Sequence, residues 1–165
     1  MNRCVARERL PVAFIKHDLY YLLDSDGMVL AGFSLGDARG YPLIVGLENR
    51  LPKFTLGAVC PVPILKSSLL LAKTLAAQAH QIEESMASLQ RRRITRIDAS
   101  DPNQLSFYLG EDLRVRVGGG DFDDKIDLLP MILRSIGADL GSVKYIDLRP
   151  KVPVVATKDE KKKNR

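Results

Sequence analysis

Twice along this chain the spacing of its apolar residues changes, and no other feature restricts the fold as much. From Ile64 to about Met86, the residues Ile64, Leu65, Leu69, Ala72, Leu75, Ala76, Ala79, Ile82 and Met86 recur at helical intervals, the period of one helix face. On either side the apolar runs are short. RLPVAFI, LYYLL, MVLAG and YPLIVGL precede the helical stretch, and ITRIDA, LSFYL and LRVRV follow it. In Leu113-Arg114-Val115-Arg116-Val117 the apolar side chains share one face and the arginines the other, as in an antiparallel strand with one wet face. Strands grouped around separate helices predict an α+β domain, with a mostly antiparallel sheet packed against one long helix and a second one.

Turn chemistry punctuates the pattern. Asp24-Ser25-Asp26-Gly27 lies between two apolar runs, and Asp-Gly supplies the positive φ that a tight hairpin requires. Gly110-Glu111-Asp112 separates LSFYL from LRVRV, so the strands after the long helix are expected to form a meander.

The stretch VGGGDFDDKIDLLPMIL, Val117 to Leu133, admits three readings: a phosphate cradle, an oxygen-ligand metal loop, or a strand-to-helix joint. A phosphate loop opens its helix with Lys and Ser/Thr, whereas an aspartate follows Gly118-Gly119-Gly120. Asp121, Asp123 and Asp124 lack the alternating positions and the closing Glu of a calcium loop. The joint fits best. Phe122, Ile126, Leu129, Ile132, Leu133 and Ile136 form one apolar helix face. Asp121 stands at the N-cap, with Asp123 and Asp124 near the positive end of the helix dipole. Pro130 is expected to kink this helix or make its first turns irregular. Val143 to Arg149 then reads as a strand, Pro150 to Pro153 as a turn, and Val154 to Lys158 as a short terminal strand.

With 165 residues, 45% of them hydrophobic, the chain suits one domain with a real core. It has no apolar run of bilayer length, and MNRCVARERLPVAF lacks the apolar centre of an export signal. The formal charge of +5 is held largely by RRRITR (Arg91 to Arg96) and the final KDEKKKNR. Cys4 and Cys60 are too few for a disulfide framework or a zinc site. His17 and His80 have no ligand-spaced neighbours, no G-x-S-x-G elbow is present, and Asp98 and Asp101 make no acid–base site by adjacency alone. These residues argue for a non-enzymatic protein without catalytic residues, cofactor or metal.

In order, ERLPVA (Glu8 to Ala13), LLDSDGMVL (Leu22 to Leu30), YPLIVG (Tyr41 to Gly46), LRVRVGGGDFDDKIDLLPMIL (Leu113 to Leu133) and YIDLR (Tyr145 to Arg149) resemble the extracytoplasmic part of the FtsQ/DivIB family of bacterial cell-division proteins. No single motif carries the resemblance; their order and spacing do. It implies a strongly curved sheet with helices against it, the β domain of that family. Residues 1–14 resemble the last strand of a preceding POTRA domain, 15–158 the β domain, and 159–165 a basic disordered tail. The membrane anchor and most of the POTRA domain are then expected to be missing, leaving an unpaired first strand exposed to swapping. The family would place this domain outside the cytoplasm at the division site, on a single-pass inner-membrane protein.

The resemblance also implies a scaffold that binds FtsB/DivIC-like and FtsL-like partners by strand addition at the terminal strand. Carried over by position, the partner-binding residues are Tyr145, Asp147, Arg149, Val152, Val154, Val155, Ala156 and Thr157. Asp147 and Arg149 share a face, so a partner carboxylate could pair with Arg149. Where the family has an aromatic or polar residue and a glycine after DLR, Pro150 and Pro153 bracket the turn here, so a pairing edge begins at Val154. The alternative function is a nucleic-acid-binding module using RRRITR and the Lys-rich tail, which would weaken steeply with salt.

Overall fold

The structure, a computed structural model, describes residues 8–34, 40–86 and 93–158. Cys4, Arg91, Arg92 and the tail at 159–165 lie outside them. The described chain forms one nine-stranded sheet with two helices. The strands are β1 (Pro11–Lys16), β2 (Tyr20–Asp24), β3 (Val29–Phe33), β4 (Leu43–Val45), β5 (Ile94–Asp98), β6 (Ser106–Leu109), β7 (Leu113–Arg116), β8 (Val143–Asp147) and β9 (Val154–Thr157). The helices are α1 (Pro63–Glu84), between β4 and β5, and α2 (Phe122–Ile136), between β7 and β8. The spatial order is β3-β2-β1-β4-β5-β6-β7-β8-β9. The pairs β1–β4, β4–β5 and β7–β8 are parallel and the other neighbours antiparallel. The α+β reading holds, and β5, β6 and β7 form the expected meander.

Cross-strand register shows why the sheet has a dry face and a wetter one. Tyr21, Ile15, Ile44, Ile97, Phe107, Val115 and Ile146 stand opposite one another from β2 to β8, and all are buried. The helices cover this row with Leu65, Leu69, Leu71, Ala72, Leu75 and Ile82 from α1 and Phe122, Ile126, Leu129, Ile132 and Leu133 from α2. Because strand side chains alternate, the next residues form a second row on the opposite face: Leu22, Phe14, Leu43, Arg96, Tyr108, Arg114 and Tyr145. There Arg96 lies over the Tyr108 ring at 3.9 Å. The polar half of each alternating strand is thus turned away from both helices.

Local chemistry fixes the joints. At the β2–β3 hairpin the Asp24 carboxylate accepts from the backbone N–H groups of Asp26 and Met28, each at 2.9 Å, and Gly27 takes φ +85°. Pro63 opens α1 at its first turn, where a missing N–H is harmless. The glycine stretch is a strand-to-helix joint, with its capping different from expectation. Asp121 occupies the N-cap position at φ 48°, and its side chain makes no capping bond. The loop is held instead by the Lys125 ammonium, which donates to the carbonyls of Val117 (3.0 Å), Gly119 (3.2 Å) and Gly120 (3.2 Å). Pro130 is buried inside α2, which runs unbroken from Phe122 to Ile136.

The expectation of an unpaired first strand is corrected. β1 is flanked by β2 on one side and β4 on the other, because the hairpin that follows it folds back while β4 joins its far side. The edges of the sheet are β3 and β9.

Candidate partner-binding edge

β8 reaches its place by running parallel to β7 after α2 and a 3₁₀ helix at Gly137–Ser142. Pro150 and Pro153 fall in the turn that follows, and β9 returns antiparallel to β8 from Val154. Val154 stands opposite Asp147, Val155 opposite Ile146, Ala156 opposite Tyr145 and Thr157 opposite Val143. Val155 and Thr157 therefore share the helix-covered face, and Val154 and Ala156 the open one. Val154 is 47% exposed and Val155 36%, whereas Ala156 is buried. Val152, in the turn, is 75% exposed. Lys158 anchors the end of the strand, its ammonium donating to the Gly141 carbonyl at 2.8 Å. β9 pairs with β8 alone, so among the described residues its outer backbone edge has no strand partner.

Tyr145, Asp147 and Arg149 come together as expected, but as a closed set. The Arg149 guanidinium donates through Nε to Asp147 Oδ1 at 2.8 Å and through Nη2 to Oδ2 at 2.5 Å, and the Arg149 backbone N–H donates to Oδ1 at 3.0 Å. Its remaining Nη1 donates to Gln104 Oε1. Arg116 lies 3.9 Å from the same carboxylate and stacks over the Tyr145 ring at 4.0 Å. The Arg149 hydrogen bond holds the Asp147 carboxyl below the usual carboxylate range against the opposing effect of burial, with the Arg149 N–H and Arg116 assisting. Asp147 in turn raises the Arg149 guanidinium. A partner carboxylate arriving at Arg149 would meet a cation already forked onto an internal acid.

Gln104 and Arg116 are members of this group that sequence reading missed. Arg116 is foreseeable only once β7 and β8 are known to pair with Arg116 opposite Asp147. Gln104 belongs to the loop before β6, and nothing in its sequence marks it. The other candidates stay apart. His17 sits beside Asp18 at 3.2 Å and His80 beside Glu84 at 3.2 Å. Asp98 accepts from Ser100, and Asp101 from the Asn103 N–H, so these two acids serve separate turns. Cys60 is a half-buried free thiol, and burial pushes its pKa up. Among the described residues no group of three or more His, Cys, Asp or Glu is placed to hold a metal ion, and no helix is long and apolar enough to cross a membrane.

Comparison with known proteins fits this architecture. The chain is 28% identical over 146 residues to the cell division protein FtsQ of Geotalea daltonii, covering 86% of this chain and 48% of that protein. It is 27% identical over 150 residues to FtsQ of Syntrophotalea carbinolica, covering 85% of this chain and 46% of that protein. The chain thus spans about half the length of the curated relatives it matches. The family model described as cell division protein FtsQ/DivIB, C-terminal, matches residues 13–149, from β1 to the Asp147–Arg149 fork, and β9 lies beyond the matched residues. With a match over most of its length, the chain belongs to the FtsQ/DivIB family of cell-division proteins.

Proposed function

We propose that this chain is the partner-binding domain of a non-enzymatic division scaffold, and that an extended segment of an FtsB/DivIC-like protein, alongside an FtsL-like one, adds to β9 as a tenth strand. The observation that carries this reading is the edge itself. β9 is an edge strand of the sheet, with Val154 and Val155 exposed and, among the described residues, no strand paired to its outer side. Strand addition draws affinity from such main-chain groups and specificity from alternate side chains. Val155 and Thr157 would neighbour one face of the incoming strand, Val154 and Ala156 the other. Tyr145 and Asp147 would support β9 from β8 and Arg149 from the turn between them, and Val152 would extend the apolar surface along that turn. In this reading a membrane anchor carried by the longer protein holds the domain outside the cytoplasm at the division site.

The test is a titration of the chain with the extracytoplasmic segment of the cognate FtsB/DivIC-like protein. Successive N–H groups on a strand point to opposite sides, so Val154→Pro and Val155→Pro together remove one donor facing β8 and one facing outward. Saturable binding is expected, abolished by the proline that leaves the fold intact. Binding that survives both substitutions would overturn the reading.

A further inference from the structure

On the sheet face that neither helix covers, cations and rings alternate. Arg96, Tyr108, Arg114 and Tyr145 stand opposite one another from β5 to β8, and the next row carries Asp98, Ser106, Arg116 and Asp147. Two arginines of this region are already engaged. Arg114 donates to Ser106 Oγ through Nε at 3.0 Å and Nη2 at 2.8 Å and lies 3.7 Å from Asp98, and Arg149 is forked onto Asp147. Arg96 and Arg116 are placed differently, over the Tyr108 and Tyr145 rings at 3.9 and 4.0 Å. Among the described residues Arg96 donates only to the Glu111 carbonyl, at 3.3 Å, and Arg116 comes to 3.9 Å from Asp147, beyond hydrogen-bond reach. Stacking uses the face of a guanidinium and fixes its position, while the N–H groups around its edge stay available to an acceptor.

We propose that Arg96 and Arg116 form a docking surface for an acidic segment of another protein, two of whose carboxylates each take the edge of one stacked guanidinium. The chemistry of the face selects this occupant. Tyr108 and Tyr145 already carry guanidiniums, so they do not offer the bare rings on which nucleic-acid bases stack. Asp98 and Asp147, set among the arginines, oppose the unbroken negative charge of a phosphate backbone or an anionic membrane, whereas discrete carboxylates can meet the two arginines alone. Arg96 and Arg116 stand two strands and two residues apart, about 12 Å between Cα atoms, a span that an extended segment covers in about four residues. The contact is small and exposed, so binding is weak and sensitive to salt. This inference is independent of the function assigned to β9.

The probe is a peptide of four Glu-Thr repeats, whose glutamates share one face of an extended chain at about 7 Å intervals. It is titrated into the chain beside an oligothymidylate of equal charge and phosphatidylglycerol vesicles. Saturable binding of the peptide is expected, weakening as salt rises. Arg96→Gln and Arg116→Gln should each weaken it by about tenfold. Arg116→Lys, which keeps the charge and loses the planar fork, should recover only part of the loss. Lys66→Gln, at an exposed position on α1 across the sheet, should change nothing. Independently of any variant, adding the peptide to the wild type should shift the ring resonances of Tyr108 and Tyr145. Absence of saturable binding, indifference to both arginine substitutions, an equal loss in Lys66→Gln, or tighter binding of the oligothymidylate or the vesicles would each overturn the proposal.

Discussion

Arg149 reaches back two residues to hold Asp147, with Nε on Oδ1 at 2.8 Å and Nη2 on Oδ2 at 2.5 Å. The pair closes the end of β8 just before the turn into β9, so its ionisation bears on the stability of the proposed edge. The folded pKa of Asp147 is lowered, first by Arg149, against burial. Its stabilisation is therefore complete above the ordinary carboxylate value of about 3.9 and is lost as pH falls through the lower folded value. Asp24 behaves alike. Burial, the largest single influence, pushes it up, and Arg9 with the Met28 and Asp26 N–H groups together outweigh it. Urea midpoints measured from neutral pH downward should fall through the acid range, and Asp147→Asn should flatten part of that fall. Because Arg149 is more than a third exposed, solvent screening limits the expected cost of Asp147→Asn at neutral pH to about 1 kcal/mol.

Gly46→Ala should be among the most damaging small substitutions. Gly46 follows β4 at φ +88°, and a Cβ there would lie 2.7 Å from the Ser100 backbone nitrogen. Ser100 is held by the Asp98 carboxylate, and Ala99 donates to Val45 O at 2.9 Å, so the clash would prise β4 from the end of β5. Gly57→Ala, at φ +75° with open space around it, serves as control. The left-handed conformation alone costs about 1–2 kcal/mol, and Gly46→Ala should exceed Gly57→Ala by about 1 kcal/mol or more in denaturant midpoints converted to free energy.

Lys125→Met should loosen the glycine joint without emptying the core. The Lys125 stem can be mimicked by methionine, but its ammonium holds three carbonyls that otherwise turn to water. A cost of about 1 kcal/mol is expected. Amide exchange should speed up around Gly118 to Phe122 while Val115 and Ile126, both fully buried, stay protected.

How much of this was legible in the sequence depends on the range of the interaction. The 3.6- and two-residue periods are local, so α1, α2 and the β5–β6–β7 meander were readable. So was the hairpin, because Asp24 and Gly27 act within four residues. The start of β9 was set by Pro153. Interactions between distant segments were not readable. Placing β1 between β2 and β4 requires knowing that β4 joins in parallel, and no local pattern specifies a parallel neighbour. At Asp121 the cap rule named the right position and the wrong interaction, since the backbone there is left-handed and Lys125, four residues on, binds the loop carbonyls in place of a side-chain cap. At the candidate edge alternation put Asp147 and Arg149 side by side, although β8 ends at Asp147 and Arg149 reaches it from the bend that follows. Gln104, from the loop before β6, and Arg116, from β7, join the pair through contacts that only the fold reveals.

The closed geometry of Arg149 leads to a final prediction about how binding data at this edge should be read. If β9 binds a strand through its backbone, partner affinity should change little over moderate salt, unlike phosphate binding by RRRITR, which would fall steeply. Arg149→Ala should nonetheless weaken binding, because it frees Asp147 and Gln104 and loosens the β8–β9 turn. That loss should come with a lower melting temperature, and Asp147→Asn should reproduce part of it although it leaves the Arg149 cation in place. The outward-facing proline at Val154 or Val155 should instead abolish binding with little change in melting temperature. Calorimetric titration and thermal melts of the same four variants separate the two routes. A direct ion pair between Arg149 and a partner acid would show itself as steep salt dependence, and as binding lost in Arg149→Ala but preserved in Asp147→Asn.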